Sequence, residues 1–296
     1  MKNPYRILCA VDASRSATAA FEQALAMSVR RGAQLVLVHA VSKDRAYSRG
    51  AVERMAALAA LRERAEALKV SVRVRIQQGD TASVILLHAR AHAPDLIVLG
   101  FHEPVGLARF RFHSIAERVM KGATCNVLVV PAGTTPVTPF RNIVCAVDLS
   151  SRSPTMITKV ADIAEAGERL TFVHVLHHAV RRGGGRFAVS EFAPATARDT
   201  RHRLQSMLDT QGVTSDVLVA VTSMSTEAEI LRVARETKAD LIVMGATRSA
   251  GLRRRFRGAT ALRVSHRSPI PVLILPARQV MRTLSTLDQT ALGWAA

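Results

Sequence analysis

A chain of 296 residues is long enough for two domains of ordinary size, each with its own core. Only 4% of the residues are aromatic, so those cores must be built from Val, Leu, Ile and Ala. No apolar run reaches the ~18–20 residues of a membrane-spanning helix, and Met1-Lys2-Asn3-Pro4-Tyr5-Arg6 lacks a signal-peptide layout, so a soluble cytoplasmic protein with no membrane contact is expected.

In chain order, the first strand-like run is Ile7–Val11, closed by Asp12 and followed by Ser14. A helical pattern near Ala17–Arg30 leads to a strand near Leu35–Val41. A helix near Ala51–Leu68, whose apolar stripe fits packing on a sheet, leads to a strand near Ser71–Ile76. A helix near Ala82–Ala91 precedes the strand Leu96–Leu99, which ends on Gly100. A last helix near Ile115–Lys121 precedes the strand Val127–Val130. The strands are short, continuous and β-branched, as in sheets covered on both faces. The Pro/Thr-rich stretch Pro131–Pro139 reads as a linker.

The same landmarks then return in the same order. Ile7-Leu8-Cys9-Ala10-Val11-Asp12 becomes Ile143-Val144-Cys145-Ala146-Val147-Asp148. Asp95-Leu96-Ile97-Val98-Leu99-Gly100 becomes Asp240-Leu241-Ile242-Val243-Met244-Gly245. Asn126-Val127-Leu128-Val129-Val130-Pro131 becomes Pro271-Val272-Leu273-Ile274-Leu275-Pro276. Strands are expected near Ile143–Val147, Leu170–Leu176, Asp216–Val221, Leu241–Met244 and Val272–Leu275. The extra residues of the second half fall in the Gly- and Arg-rich stretch Val180–Phe187, a loop by composition. Alternating strands and helices imply α/β domains with parallel sheets. Two five-stranded sheets are therefore expected, in domains 1–133 and 140–278, with a tail 279–296 that holds the single tryptophan, Trp294.

In doubly wound sheets, ligands bind outside the carboxyl ends of the strands. Three features converge there in each half. Asp12 and Asp148 each end a first strand, where a carboxylate can accept hydrogen bonds from a base amine or a ribose hydroxyl. Capping the next helix is the competing role. A glycine, Gly100 or Gly245, ends the fourth strand. A helix then begins beyond the loop, and the free N–H groups of a helix start favour an anion.

The strand ending in Asp, the Asp-Leu-Ile-Val-x-Gly strand and the run from Gly106 through Ser114-Ile115-Ala116-Glu117-Arg118-Val119 to Pro131 together resemble the universal stress protein family, twice along the chain. The resemblance implies doubly wound domains with strand order 3-2-1-4-5 that pack as an internal pseudo-dimer, and leaves open a homodimer of the whole chain. It also implies that adenine nucleotide, where bound, acts as a regulatory ligand. ATP-binding members of the family carry Gly, two residues, Gly, nine residues, Gly, then Ser or Thr. In the first half Gly100 and Ser114 fit this pattern, but Glu103 and His113 stand at the second and third glycines. In the second half Gly245 and Gly258 fit. Arg248 stands at the second glycine and Ala259 at the hydroxyl position, with Thr260 one place late. A carboxylate at 103 repels phosphate, whereas Arg248 and Arg253, Arg254, Arg255 and Arg257 carry the sign that binds it. ATP is therefore expected in the second half alone and weakly, at Asp148, Val175, Met244, Gly245, Arg248, Gly258, Ala259 and Thr260. Asp12, Gly100 and Ser114 are expected to be remnants.

The remaining signals have plainer readings. The net charge of +18 draws polyanions, but it is spread along the chain, and few aromatics are present to stack on bases. Weak, non-specific nucleic-acid binding follows. Cys9, Cys125 and Cys145 read as core thiols rather than a disulfide framework. His39 and His174 hold matching strand positions, which points to a shared structural role rather than a metal site. No motif supplies a nucleophile beside a base or a metal-protease helix, so no catalysis is expected. Two other readings stay open: a polyanion-binding stress protein, and an ATP-hydrolysing or nucleotidyl-transferring enzyme in which Glu103 is the loop acid.

Overall fold

The computed structural model describes residues 4–12, 14–41, 51–101, 115–164, 167–177, 193–246 and 259–276. The first half runs β1 (Arg6–Ala10), α1 (Arg15–Arg31), β2 (Gln34–Val41), α2 (Ala51–Ala67), β3 (Val72–Gln78), α3 (Thr81–His92), β4 (Leu96–Phe101), α4 (Ile115–Gly122) and β5 (Asn126–Pro131). The second runs β6 (Asn142–Ala146), α5 (Ser153–Ile163), β7 (Arg169–His177), α6 (Ala193–Thr210), β8 (Asp216–Thr222), α7 (Thr226–Glu236), β9 (Leu241–Gly245), α8 (Ala259–Arg267) and β10 (Val272–Leu275). Each expected strand lies within a residue or two of its place.

Both halves have the strand order 3-2-1-4-5 with parallel pairing inside each half. The expectation of two separate sheets is corrected: the halves share one ten-stranded sheet, β3-β2-β1-β4-β5-β10-β9-β6-β7-β8. The junction is antiparallel, with Val272 opposite Val129, Leu273 opposite Leu128 and Ile274 opposite Val127. All six side chains are buried. Each half thus covers the exposed fifth-strand edge of the other, which would otherwise template pairing with a foreign chain. The tandem halves make an internal pseudo-dimer.

Alternation along the strands sends side chains to two cores. Ile7 and Cys9 face the cluster that holds Phe21 of α1, Leu58 of α2, Ile157 of α5 and Leu204 of α6. Leu8 faces the other cluster, with Ile85 of α3, Val119 of α4, Ile230 of α7 and Val264 of α8. Helices therefore cover both faces. Burial pushes the Cys9, Cys125 and Cys145 thiols up, Cys125 to about 12, so all three stay protonated and unreactive at neutral pH. No described helix is long and apolar enough to cross a membrane.

The repeated Asp of the fourth strand is a clamp at the opposite, amino end of the sheet. Asp95 accepts from the Arg6 N–H at 2.8 Å, and Asp240 from the N–H groups of Arg141 and Asn142 at 2.6 and 3.1 Å. The linker is held by α1. Gln23, 1% exposed, donates from Nε2 to the Val137 carbonyl at 2.8 Å and accepts from the Val137 N–H at 3.0 Å. Gln23→Ala leaves both backbone groups without their partner. It is expected to lower stability by about 1–3 kcal/mol, seen as a lower urea midpoint at unchanged slope. An unchanged midpoint contradicts that role.

Candidate functional site

The carboxyl ends of the first and second strands are locked alike in both halves. The Val11 N–H donates to the Val38 carbonyl, and the Val147 N–H to the Val173 carbonyl, both at 2.9 Å. The Val11 carbonyl is bonded by His39 Nδ1, and the Val147 carbonyl by His174 Nδ1, both at 2.8 Å. A carbonyl only accepts, so each Nδ1 carries a proton and Nε2 of a neutral ring is left as an acceptor. The matched histidines therefore brace the strand that presents the aspartate.

Neither aspartate caps a helix. Asp12 accepts from the Ser14 N–H at 2.8 Å, and Ser14 is the N-cap of α1, its hydroxyl accepting from the Ala17 N–H at 3.2 Å. Asp148 Oδ1 accepts from the Ser150 N–H at 3.1 Å and the Ser153 hydroxyl at 3.2 Å. Partial burial pushes the Asp148 carboxyl up, but these bonds and the Arg152 charge outweigh it and hold the group below its ordinary value. It keeps an exposed side. Beside it Leu149 adopts a left-handed backbone, φ +53°, a strained choice for a branched residue.

The halves diverge at the glycine. A Cβ on Gly100 would lie 2.2 Å from the Ser16 carbonyl oxygen and 2.7 Å from the Ala17 nitrogen, so the start of α1 rests directly on it. Among the described residues, a Cβ on Gly245 would meet only Met156 Sδ, at 3.5 Å. A cavity of ≈ 250 Å³ opens beside Gly245, just under the roughly 300–1,000 Å³ of typical small-ligand sites. Its lining includes Asp148, His174, Val175, Met244, Gly245 and Thr260, so the structure brings together five of the second-half residues expected at a site. Met156, Thr226 and Ile230 also line it and were not expected. The sequence signal for Thr226 is its place just after the α7 cap, Ser225. His177 Nε2 bonds the Thr226 hydroxyl at 2.8 Å. Gly100 and Asp12 are described, but Gly100 is packed under α1.

Of Ala259, only its place at the start of α8 is described. Ser114, Arg248 and Gly258, with Glu103, His113 and the loop arginines, lie outside the described residues, as do 180–187 and the tail. The helices that follow these loops are anchored by matching arginines. Arg118 of α4 bonds both Asp80 oxygens at 2.6 Å, and Arg263 of α8 lies 3.2 Å from Glu227, which is 5% exposed.

These contacts give the fold a pH dependence. The Arg118 bonds hold Asp80 low. Burial pushes Glu227 up but is outweighed by hydrogen bonds and Arg263, and the Arg232 bond holds Glu229 low. A carboxyl held low in the fold adds stability above its unfolded pKa and loses it as pH falls through the folded one. Burial and the charge of Arg75 also hold His88 and His92 low, so the unfolded chain takes up those protons first. The urea midpoint is expected to decline gently below about pH 6.5 and steeply below about pH 4. A midpoint that rises on acidification contradicts the assignment.

The universal stress protein family model matches residues 5–131 and 139–276. A universal stress protein of Methanocaldococcus jannaschii is 39% identical over 74 residues, 25% of this chain, and the match spans only 44% of that relative's length. The structure of a universal stress protein from Archaeoglobus fulgidus DSM 4304 superposes with a TM-score of 0.66 at 19% identity, covering 92% of this chain and 96% of that one. A universal stress protein structure from Pseudomonas aeruginosa UCBPP-PA14 gives 0.67 at 18%, covering 97% and 98%. At these identities the structural likeness is one of fold, while the family model spans both halves of the sequence. The chain belongs to the universal stress protein family, with two family domains in tandem.

Proposed function

We propose that this stress-response protein is non-catalytic and holds one adenine nucleotide, as a regulatory ligand, in its second half. The observation that carries the reading is the contrast at the matched glycines: helix backbone rests on Gly100, while a cavity stands open beside Gly245. The family resemblance supplies the ligand class. In this reading Asp148 takes a base or ribose donor, and backbone N–H groups at the start of α8 take the phosphates. The described lining offers one carboxylate and one imidazole, and that imidazole already braces Val147. Such a lining suits binding more than proton transfer. In this reading the first half keeps only a remnant, with the start of α1 resting on its Gly100. Three free thiols suit the cytoplasm, and contact with nucleic acid is weak and non-specific. Calorimetric titration of the full chain with ATP tests this: one site per chain is expected, and two equivalent sites contradict it.

A further inference from the structure

We propose that Pro154 is the residue that keeps the second site open, a positioning role that rests on the reading of that cavity as a ligand site. Counting from the matched Asp12 and Asp148, Ser14 corresponds to Ser150, Ser16 to Arg152 and Thr18 to Pro154. In the first half, the Thr18 N–H donates to the Ser14 carbonyl at 3.1 Å, the bond that closes the first turn of α1. Helix α1 therefore begins at Arg15, and the Ser16 carbonyl comes down onto Gly100.

Proline has no N–H, and its ring clashes with the carbonyl four residues back. The matching bond cannot form at Pro154. The Ser150 carbonyl instead accepts from the Ser153 N–H, one residue earlier, at 3.0 Å. Helix α5 begins only at Ser153, with the proline in its first turn, where a missing N–H costs nothing. Its N-cap, Arg152, makes no side-chain cap bond. The Arg152 carbonyl does not reach Gly245, whose nearest neighbour among the described residues is the flexible Met156 side chain. One substitution thus accounts for the late helix and the open glycine, while the second bond to the aspartate comes from a separate difference, Ser153 standing where the first half has Ala17.

The test is Pro154→Thr in the full chain, with Pro154→Ala beside it, because the effect must follow the restored N–H rather than the side chain. By NMR hydrogen exchange, the amide at 154 is expected to be protected, as at Thr18, with the thermal midpoint unchanged or raised. ATP affinity is expected to fall about tenfold as the open population shrinks. Adding Gly245→Ala, whose Cβ occupies the place the carbonyl would take, is expected to remove the protection and recover the affinity of Gly245→Ala alone. A rapidly exchanging amide at 154, or affinity unchanged with the amide protected, overturns the proposal. A parent chain that binds no ATP, yet shows protection gained in Pro154→Thr and lost in the double variant, leaves the opening device standing. That outcome removes the nucleotide reading alone.

Discussion

Gly100→Ala is expected to destabilise the protein by about 3 kcal/mol, the upper end of the usual cost of overpacking a well-filled core. The added methyl would sit 2.2 Å from the Ser16 carbonyl oxygen and 2.3 Å from its carbon. Those atoms are backbone, in the first turn of a helix whose Ala17, Ala20 and Phe21 are buried. No rotamer change relieves the clash, so α1 must lift from β4 or lose its first turn. The thermal midpoint should fall by roughly 5 °C. Gly245→Ala should cost less than about 1 kcal/mol, because its Cβ meets a methionine sulfur at ordinary contact distance and alanine restricts the unfolded chain. Urea unfolding of the two variants beside the parent checks this, and equal losses would falsify the asymmetry between the halves.

The fold was legible because its signals are local. Short runs such as Ile7–Val11 and Val127–Val130 are apolar on both faces, and the doubled Asp-Leu-Ile-Val-x-Gly marks the same strand twice. The union of the halves was not legible. Val127, Leu128 and Val129 read as a buried strand whether they pair with Ile274, Leu273 and Val272 or lie under a loop, since residues 143 to 147 positions apart leave no local mark of their pairing. At the site, Asp148 and Gly245 were legible as residue types at strand ends. The different use of the two glycines was not, because Gly100 is set by the distant backbone of Ser16. Pro154 was the available signal: a proline four residues after a candidate cap forbids the first helical bond. The histidines gave half their meaning. Their matching positions pointed to a structural role, but the carbonyls they brace, Val11 and Val147, lie on the neighbouring strand.

The second large effect is on ligand affinity. Asp148→Ala is expected to weaken ATP binding by roughly 5–150-fold, the cost of about 1–3 kcal/mol for removing one hydrogen-bond partner of the ligand. Two features make the side chain specific to the site. It lines the cavity, and its Oδ1 is oriented by Ser150 and Ser153, so the group is set in place before a ligand arrives. Asp12 takes the same Ser N–H, but the start of α1 rests on the matched glycine in its half. Asp12→Ala should therefore leave ATP affinity within about twofold of the parent, a few tenths of a kcal/mol.

Calorimetric titration of ATP into the parent chain, Asp12→Ala and Asp148→Ala tests most directly whether one half of the molecule carries the site. One equivalent per chain, kept in Asp12→Ala and weakened in Asp148→Ala, is the predicted result. Two equivalents in the parent, equal losses in the two variants, or a loss confined to Asp12→Ala would contradict it.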